Sequence, residues 1–203
     1  MNADVRLRRL ESEYAGRIAL DFRAFLLRPE PRPAFDREEH AARALEKFRR
    51  YTSSWERVAA DPDAGEFRVW ASDEGPPSHS IPAHLVAKAA ARLGDEAFRR
   101  MHERLLRAYF VESRDISAPE ILRSLWRELD LAEDGFDAHR DPAIRREVLS
   151  EHAEAIELGA TGVPAVRLAG NSAVIVGAQP TELYRRWIER SLARADAARE
   201  VPG

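Results

Sequence analysis

The 203 residues contain no cysteine. No disulfide, thiolate nucleophile or cysteine-ligated metal is available to them. Long apolar runs are missing too, and none could span a bilayer; no membrane partner is expected. The opening MNADVRLRRLESEY is charged and lacks the apolar centre of a signal peptide, so the expected location is cytoplasmic. A strong excess of one charge is also absent. A formal net charge of -3 leaves no nucleic-acid footprint, and no nucleic-acid partner is expected. The six histidines are His40, His79, His84, His102, His139 and His152. They form no HExxH pair and no tight ligand cluster, and no metal site is expected.

What is present is mostly helix surface. Charged residues make up 33% of the chain, many of them Arg and Glu in helical register. The length suits one domain with an insertion, or two small domains. The organising stretch is residues 159–179, GATGVPAVRLAGNSAVIVGAQ. Pro164 cannot donate to a ladder, so it belongs at the first residue of a strand or at an edge. Gly162 is read as permitting a backbone conformation that other residues resist. Residues 165–168 have strand character, Gly170-Asn171 is a turn dipeptide, and residues 173–176 form the return strand. Proline lowers the trans preference to about 0.5–1 kcal/mol, so a cis Val163–Pro164 bond is accessible.

Before this hairpin, residues 4–14 fit a short amphipathic helix on Leu7, Leu10 and Tyr14. Residues 17–27, RIALDFRAFLL, read as a strand buried towards its end. Residues 36–59 read as one helical stretch, and residues 66–71 as a short strand or an extended segment. Helices are expected over 81–93, 95–112 and onward from 117, with helical character at 134–137 and 141–158. A terminal helix spans 181–197, with Leu183, Tyr184, Trp187, Ile188 and Leu192 inward. Trp126 and Trp187 are assigned to the core, and the last residues are read as frayed. Two β regions thus flank a helical block. The expected fold class is α/β, with one discontinuous domain (1–35 and 158–203) interrupted by a helical insertion at 36–157.

Three stretches together resemble a known family. They are Gly162-Val163-Pro164 with its hairpin and Gly177-Ala178-Gln179-Pro180; Pro77-Ser78-His79-Ser80 with Pro82-Ala83 and Ala87-Lys88-Ala89-Ala90; and residues 109–117, YFVESRDIS. They resemble the DsbA-like branch of the thioredoxin superfamily. The likeness points to FrnE-like proteins and their relatives, the 2-hydroxychromene-2-carboxylate isomerases and kappa-class glutathione transferases. The resemblance implies a thioredoxin-like fold with a large helical insertion. It also exposes a departure. The family's first strand and Cys-X-X-Cys segment have no counterpart, because residues 4–14 resemble the helix just after that motif. The expectation is a thioredoxin-like chain apparently missing its first strand. A late start of the reading frame is favoured over decay, since apolar stripes and turn chemistry stay consistent elsewhere.

Thiol–disulfide exchange needs an attacking thiolate, so no catalytic residue is assigned. The resemblance leaves a binding role. Main-chain groups of Val163, beside Pro164 and Gly162, would pair with an extended thiol peptide or glutathione by strand addition, with Gln179 and Ser78 as companions. Beyond glutathione, no cofactor is implied. Three functions are carried forward: an oxidoreductase-family chain without redox cysteines, a glutathione-dependent isomerase or transferase, and a non-catalytic binding module, the last expected to dimerise through exposed sheet edges. His79 as a general base, and Glu112 with Asp115 as an acid–base pair, are weaker assignments. A helix end followed by an Asp or Ser cap accounts better for the second.

Overall fold

The computed structural model describes residues 2–33, 38–61 and 63–200. Met1, the 36–37 start of the expected second helix, residue 62 of the following loop and the last three residues lie outside them.

Helix α1 (Asn2–Glu13) buries Leu10 against Tyr184 and Ile188 of α8 (Thr181–Glu200). Between these helices in sequence lie α2 (Glu38–Thr52), α3 (Trp55–Ala59), α4 (Ile81–Ala91), α5 (Asp95–Phe110) and α6 (Pro119–Glu128). A 3₁₀ helix (Glu133–Arg140), α7 (Pro142–Glu157) and strands β1 (Ala165–Arg167) and β2 (Val174–Val176) follow. The largest core joins α4, α5, α6, the 3₁₀ helix and α7 around Val86, Ala90, Met101, Leu125, Trp126 and Ile144. Small residues on α4 (Ala83, Ala87, Ala90) let its neighbours approach closely. A bridging cluster of Ala24, Leu26, Ile81 and Val148 ties this core to the N-terminal region.

β1 and β2 pair antiparallel with Ala165 opposite Val176 and Arg167 opposite Val174. They form a two-stranded sheet, the whole β content of the described residues. The strand expected over 17–27 is therefore not realised as one. Residues 18–26 run without regular structure. Their alternating pattern is real, since Ala24 and Leu26 are buried while Arg23 and Leu27 are exposed and Phe25 is half-buried. A strand also needs a neighbour to complete its ladder, and among the described residues no other strand pairs with these.

Side chains take over part of that work. The Leu20 N–H donates to Glu11 Oε1 at 2.7 Å, Ala24 N–H to Glu151 Oε2 at 2.7 Å, Leu26 N–H to His152 Nδ1 at 3.2 Å and Arg28 N–H to Ser80 Oγ at 3.1 Å. These acceptors come from α1, α7 and the residue before α4. Glu151 is buried and is neutralised by Lys88 Nζ at 2.5 Å.

Two further expectations change, the single helix at 36–59 and the inward Leu183 and Trp187, while 66–71 takes the extended alternative and 134–137 is helical as expected. The stretch 36–59 breaks into two helices at Ser53–Ser54. There Thr52, Ser53 and Ser54 hydroxyls donate in turn to the carbonyls of Arg49, Arg50 and Tyr51, competing with helix continuation. Residues 66–71 are extended without a ladder: Arg68 N–H reaches Phe110 O, Trp70 N–H reaches Thr52 Oγ1 and Ala71 N–H reaches Ser113 Oγ. Residues 134–137 belong to a 3₁₀ helix. Finally, Trp187 and Leu183 are only half-buried. They line a shallow groove with Ile175, Arg186 and Arg190, because α1 covers only the Tyr184–Ile188 side of α8.

Candidate functional site

The loop into β1 is shaped from the end of α7. Gly159 takes φ +92, its N–H bonds Ile156 O at 2.9 Å, and Ala160 N–H bonds Ala155 O at 2.9 Å. This is a Schellman end, which satisfies orphan helix carbonyls and turns the chain. Ala160 is buried, and Thr161-Gly162-Val163 then run out to the surface. The Val163–Pro164 peptide bond is cis. Gly162 does not use the left-handed region expected of it; the positive φ values here belong to Gly159, Gly170 and Gly177.

Pro164 O accepts the Gly177 N–H at 2.8 Å, which closes the open end of the hairpin. Val163 is 47% exposed, and among the described residues its main-chain N–H and C=O make no hydrogen bond. The residue therefore stands in the bend two positions before β1, with neither main-chain group paired among the described residues.

Gln179 is fixed beside this hairpin end. Its N–H donates to the Tyr184 hydroxyl at 3.2 Å, and its Nε2 reaches Val176 O at 3.4 Å. Its carbonyl accepts from Arg6 Nη1 at 2.7 Å. Arg6 is 4% exposed and ion-pairs with Asp61. Arg9 pairs with Asp63 at 2.5 Å, and Asp63 also accepts from Thr181 Oγ1 at 3.1 Å. These links join α1, the loop after α3 and the start of α8. A backbone N–H of Asp63 and then Arg6 hold Asp61 below the usual carboxylate range. Arg9 and Thr181 do the same for Asp63. Spacing gave no sign of Arg6, since the partners that bury it, Asp61 and Gln179, are remote in sequence.

The structure brings Gly162, Val163, Pro164 and Gln179 to one end of the hairpin. Ser78 makes its bonds to other residues. Its N–H donates to Ser117 Oγ at 2.9 Å, its carbonyl accepts from Arg32 N–H and its hydroxyl meets His79 Nδ1 at 2.7 Å. None of these bonds reaches residues 162–164. His79 spends that nitrogen on Ser78. Asp115 Oδ1 accepts from the Ser117 N–H and hydroxyl, the turn role that the sequence favours over acid–base work. Glu112 instead joins Glu128 around Arg104 and Arg114. Among the described residues no group of His, Asp and Glu is arranged to hold a metal ion, and no helix is long and apolar enough to cross a membrane.

Comparison with known proteins adds the lineage. A candidate protein disulfide isomerase from Nitrosomonas europaea superposes with TM-score 0.76 at 18% identity, over 95% of this chain and 91% of that one. The cytosolic disulfide reductase DsbM from Pseudomonas aeruginosa superposes with TM-score 0.67 at 21% identity, over 95% and 92%. Its structure with GSH gives TM-score 0.53 at 19% identity, over 98% and 93%. Among curated proteins none matches. At these identities the likeness speaks to fold. The family model of the DSBA-like thioredoxin domain matches residues 1–189, and the chain belongs to that family, with a thioredoxin-like α/β fold and a helical insertion.

Proposed function

We propose that this chain is a thiol-peptide-binding member of the DSBA-like family, with glutathione the smallest ligand that fits. The observation that carries the reading is Val163: exposed, in the bend that leads into β1, with both main-chain groups unbonded among the described residues. An extended peptide satisfies such groups by adding a strand, which supplies affinity through main-chain bonds. Gln179 stands at the same end of the hairpin as the side-chain partner.

The disulfide-reductase description of DsbM and its structure with GSH support the ligand class. The cytosolic setting of DsbM supports a cytoplasmic one here. Because the 203 residues hold no cysteine, none of them supplies the thiolate that exchange needs. In this reading the sulfur chemistry belongs to the ligand, and the protein binds and orients it. Self-association through the same bend is the competing use of these groups.

Calorimetry decides between use and decoration. Reduced glutathione is expected to bind with roughly millimolar affinity, about 4 kcal/mol, and S-methyl glutathione equally well, since the backbone rather than the thiol is recognised. No heat for either at saturating concentration overturns the proposal.

A further inference from the structure

Arg28 and Arg32 differ from the arginines around them. Four arginines carry a buried guanidinium nitrogen without a hydrogen-bond partner among the described residues: Arg6, Arg8, Arg32 and Arg104. Arg6 holds Asp61, Arg8 holds Asp4 and Glu103, and Arg104 holds Glu112 and Glu128. Arg32 holds no carboxylate among the described residues, and neither does Arg28.

The two are nonetheless fixed in place. Ser80 N–H bonds Arg28 O at 2.8 Å, Arg28 N–H bonds Ser80 Oγ at 3.1 Å and Arg32 N–H bonds Ser78 O at 3.2 Å. This clamps a proline-rich loop, Arg28-Pro29-Glu30-Pro31-Arg32-Pro33, against the residues just before α4. Proline at three positions narrows the loop's freedom further. Burial first, then Arg28, holds Arg32 below its ordinary value, while Tyr109 and Asp115 pull weakly the other way. The nearby Asp115 already accepts from Ser117 through Oδ1. Tyr109 is pushed up to about 12, chiefly by burial, so its hydroxyl stays protonated and offers no counter-charge.

From this clamped, uncompensated pair we infer that Arg28 and Arg32 form an oxyanion site for a small ligand carrying a carboxylate or phosphate. The guanidinium fork suits both groups geometrically. An oxyanion relieves the repulsion between the two arginines and satisfies Arg32 Nε. No hydrogen bond of residues 28, 32 and 78–80 reaches residues 162–164.

The test is thermal unfolding of the full chain in sodium phosphate, sodium acetate and sodium chloride, matched in ionic strength and pH. Phosphate or acetate is expected to raise the midpoint over chloride by roughly 3 °C. A rise in phosphate alone assigns a phosphate ester, and a rise in acetate assigns a carboxylate. Arg32→Gln is expected to abolish the rise while unfolding in chloride at the same temperature or slightly higher, since a repulsive charge has gone. Arg32→Lys should keep only part of it. Equal midpoints for the wild type in all three salts overturn the inference, as does a rise undiminished in Arg32→Gln.

Discussion

The hairpin and the extended segment 18–26 are built from similar residues and end up differently. Both are rich in apolar side chains, alternating with charged ones over Leu20–Ala24 and unbroken over Val174–Val176. In the hairpin, Val174–Val176 folds back on Ala165–Arg167 through the Gly170-Asn171 turn, and each strand supplies the other's bonds. In the segment no strand lies alongside, and side chains of Glu11, Glu151, His152 and Ser80 capture alternate N–H groups instead. Strand pattern records which face is buried; strand structure requires a partner backbone. A segment held by side chains depends on the charge state and placement of those side chains, whereas a hairpin depends on its turn.

The sharpest way to break this comparison is to remove Glu151. Its carboxylate joins the Ala24 N–H to Lys88, whose side chain is 11% exposed. Glu151→Ala leaves the buried Ala24 N–H without its acceptor and Lys88 with only Glu147, 3.2 Å away, at an expected cost of about 2–3 kcal/mol by urea unfolding. A loss under about 1 kcal/mol, the range of an ordinary surface change, would show that the segment is held by something else.

Acid should act on the same region. His84, half-buried on α4, lies beside the Phe25 backbone, and loss of solvent lowers its pKa to about 4. Between pH 6.5 and 4 the unfolded chain binds a proton here that the folded chain does not, so stability falls as pH falls. The full window is worth roughly 3 kcal/mol. Wild type and His84→Gln, compared by denaturation across that window, should differ in slope; parallel profiles would count against a neutral His84.

The hairpin responds to its glycines. Gly177 has φ +87, and an added Cβ would meet only Gln179 Nε2 at 3.8 Å. Gly177→Ala should therefore cost about 1–2 kcal/mol, from backbone strain alone. Gly162 has no such φ and nothing within 4 Å of an added Cβ. Gly162→Ala should change stability by less than about 0.5 kcal/mol in the same assay. A large loss at Gly162 would mean that the loop into β1 needs a conformation the structure does not use.

Local chemistry made much of this legible. Glycine and proline marked the hairpin and the ends of α4 and α7, and three-and-four spacing marked the helices of the main core. The unpaired segment was misread because its alternation is genuine; only the absence of a neighbouring strand distinguishes it. Trp187 was misread because apolar spacing marks a helix face without saying how much of that face is covered. Arg6 was invisible because its burial depends on Asp61 and Gln179, 55 and 173 residues away. At the site, the proline loop and Gln179 came together, while Ser78, grouped with them by resemblance, makes its bonds to Ser117, His79 and Arg32.

The most direct measurement of the central claim is a residue-resolved amide titration with glutathione by nuclear magnetic resonance. The Val163 amide and its neighbours at residues 161–165 should shift saturably, with a midpoint of roughly 1 mM, while the Leu20, Ala24 and Leu26 amides stay fixed. Amides at 161–165 that do not move while glutathione reaches about ten times that midpoint, or saturable shifts confined to other parts of the chain, would contradict it.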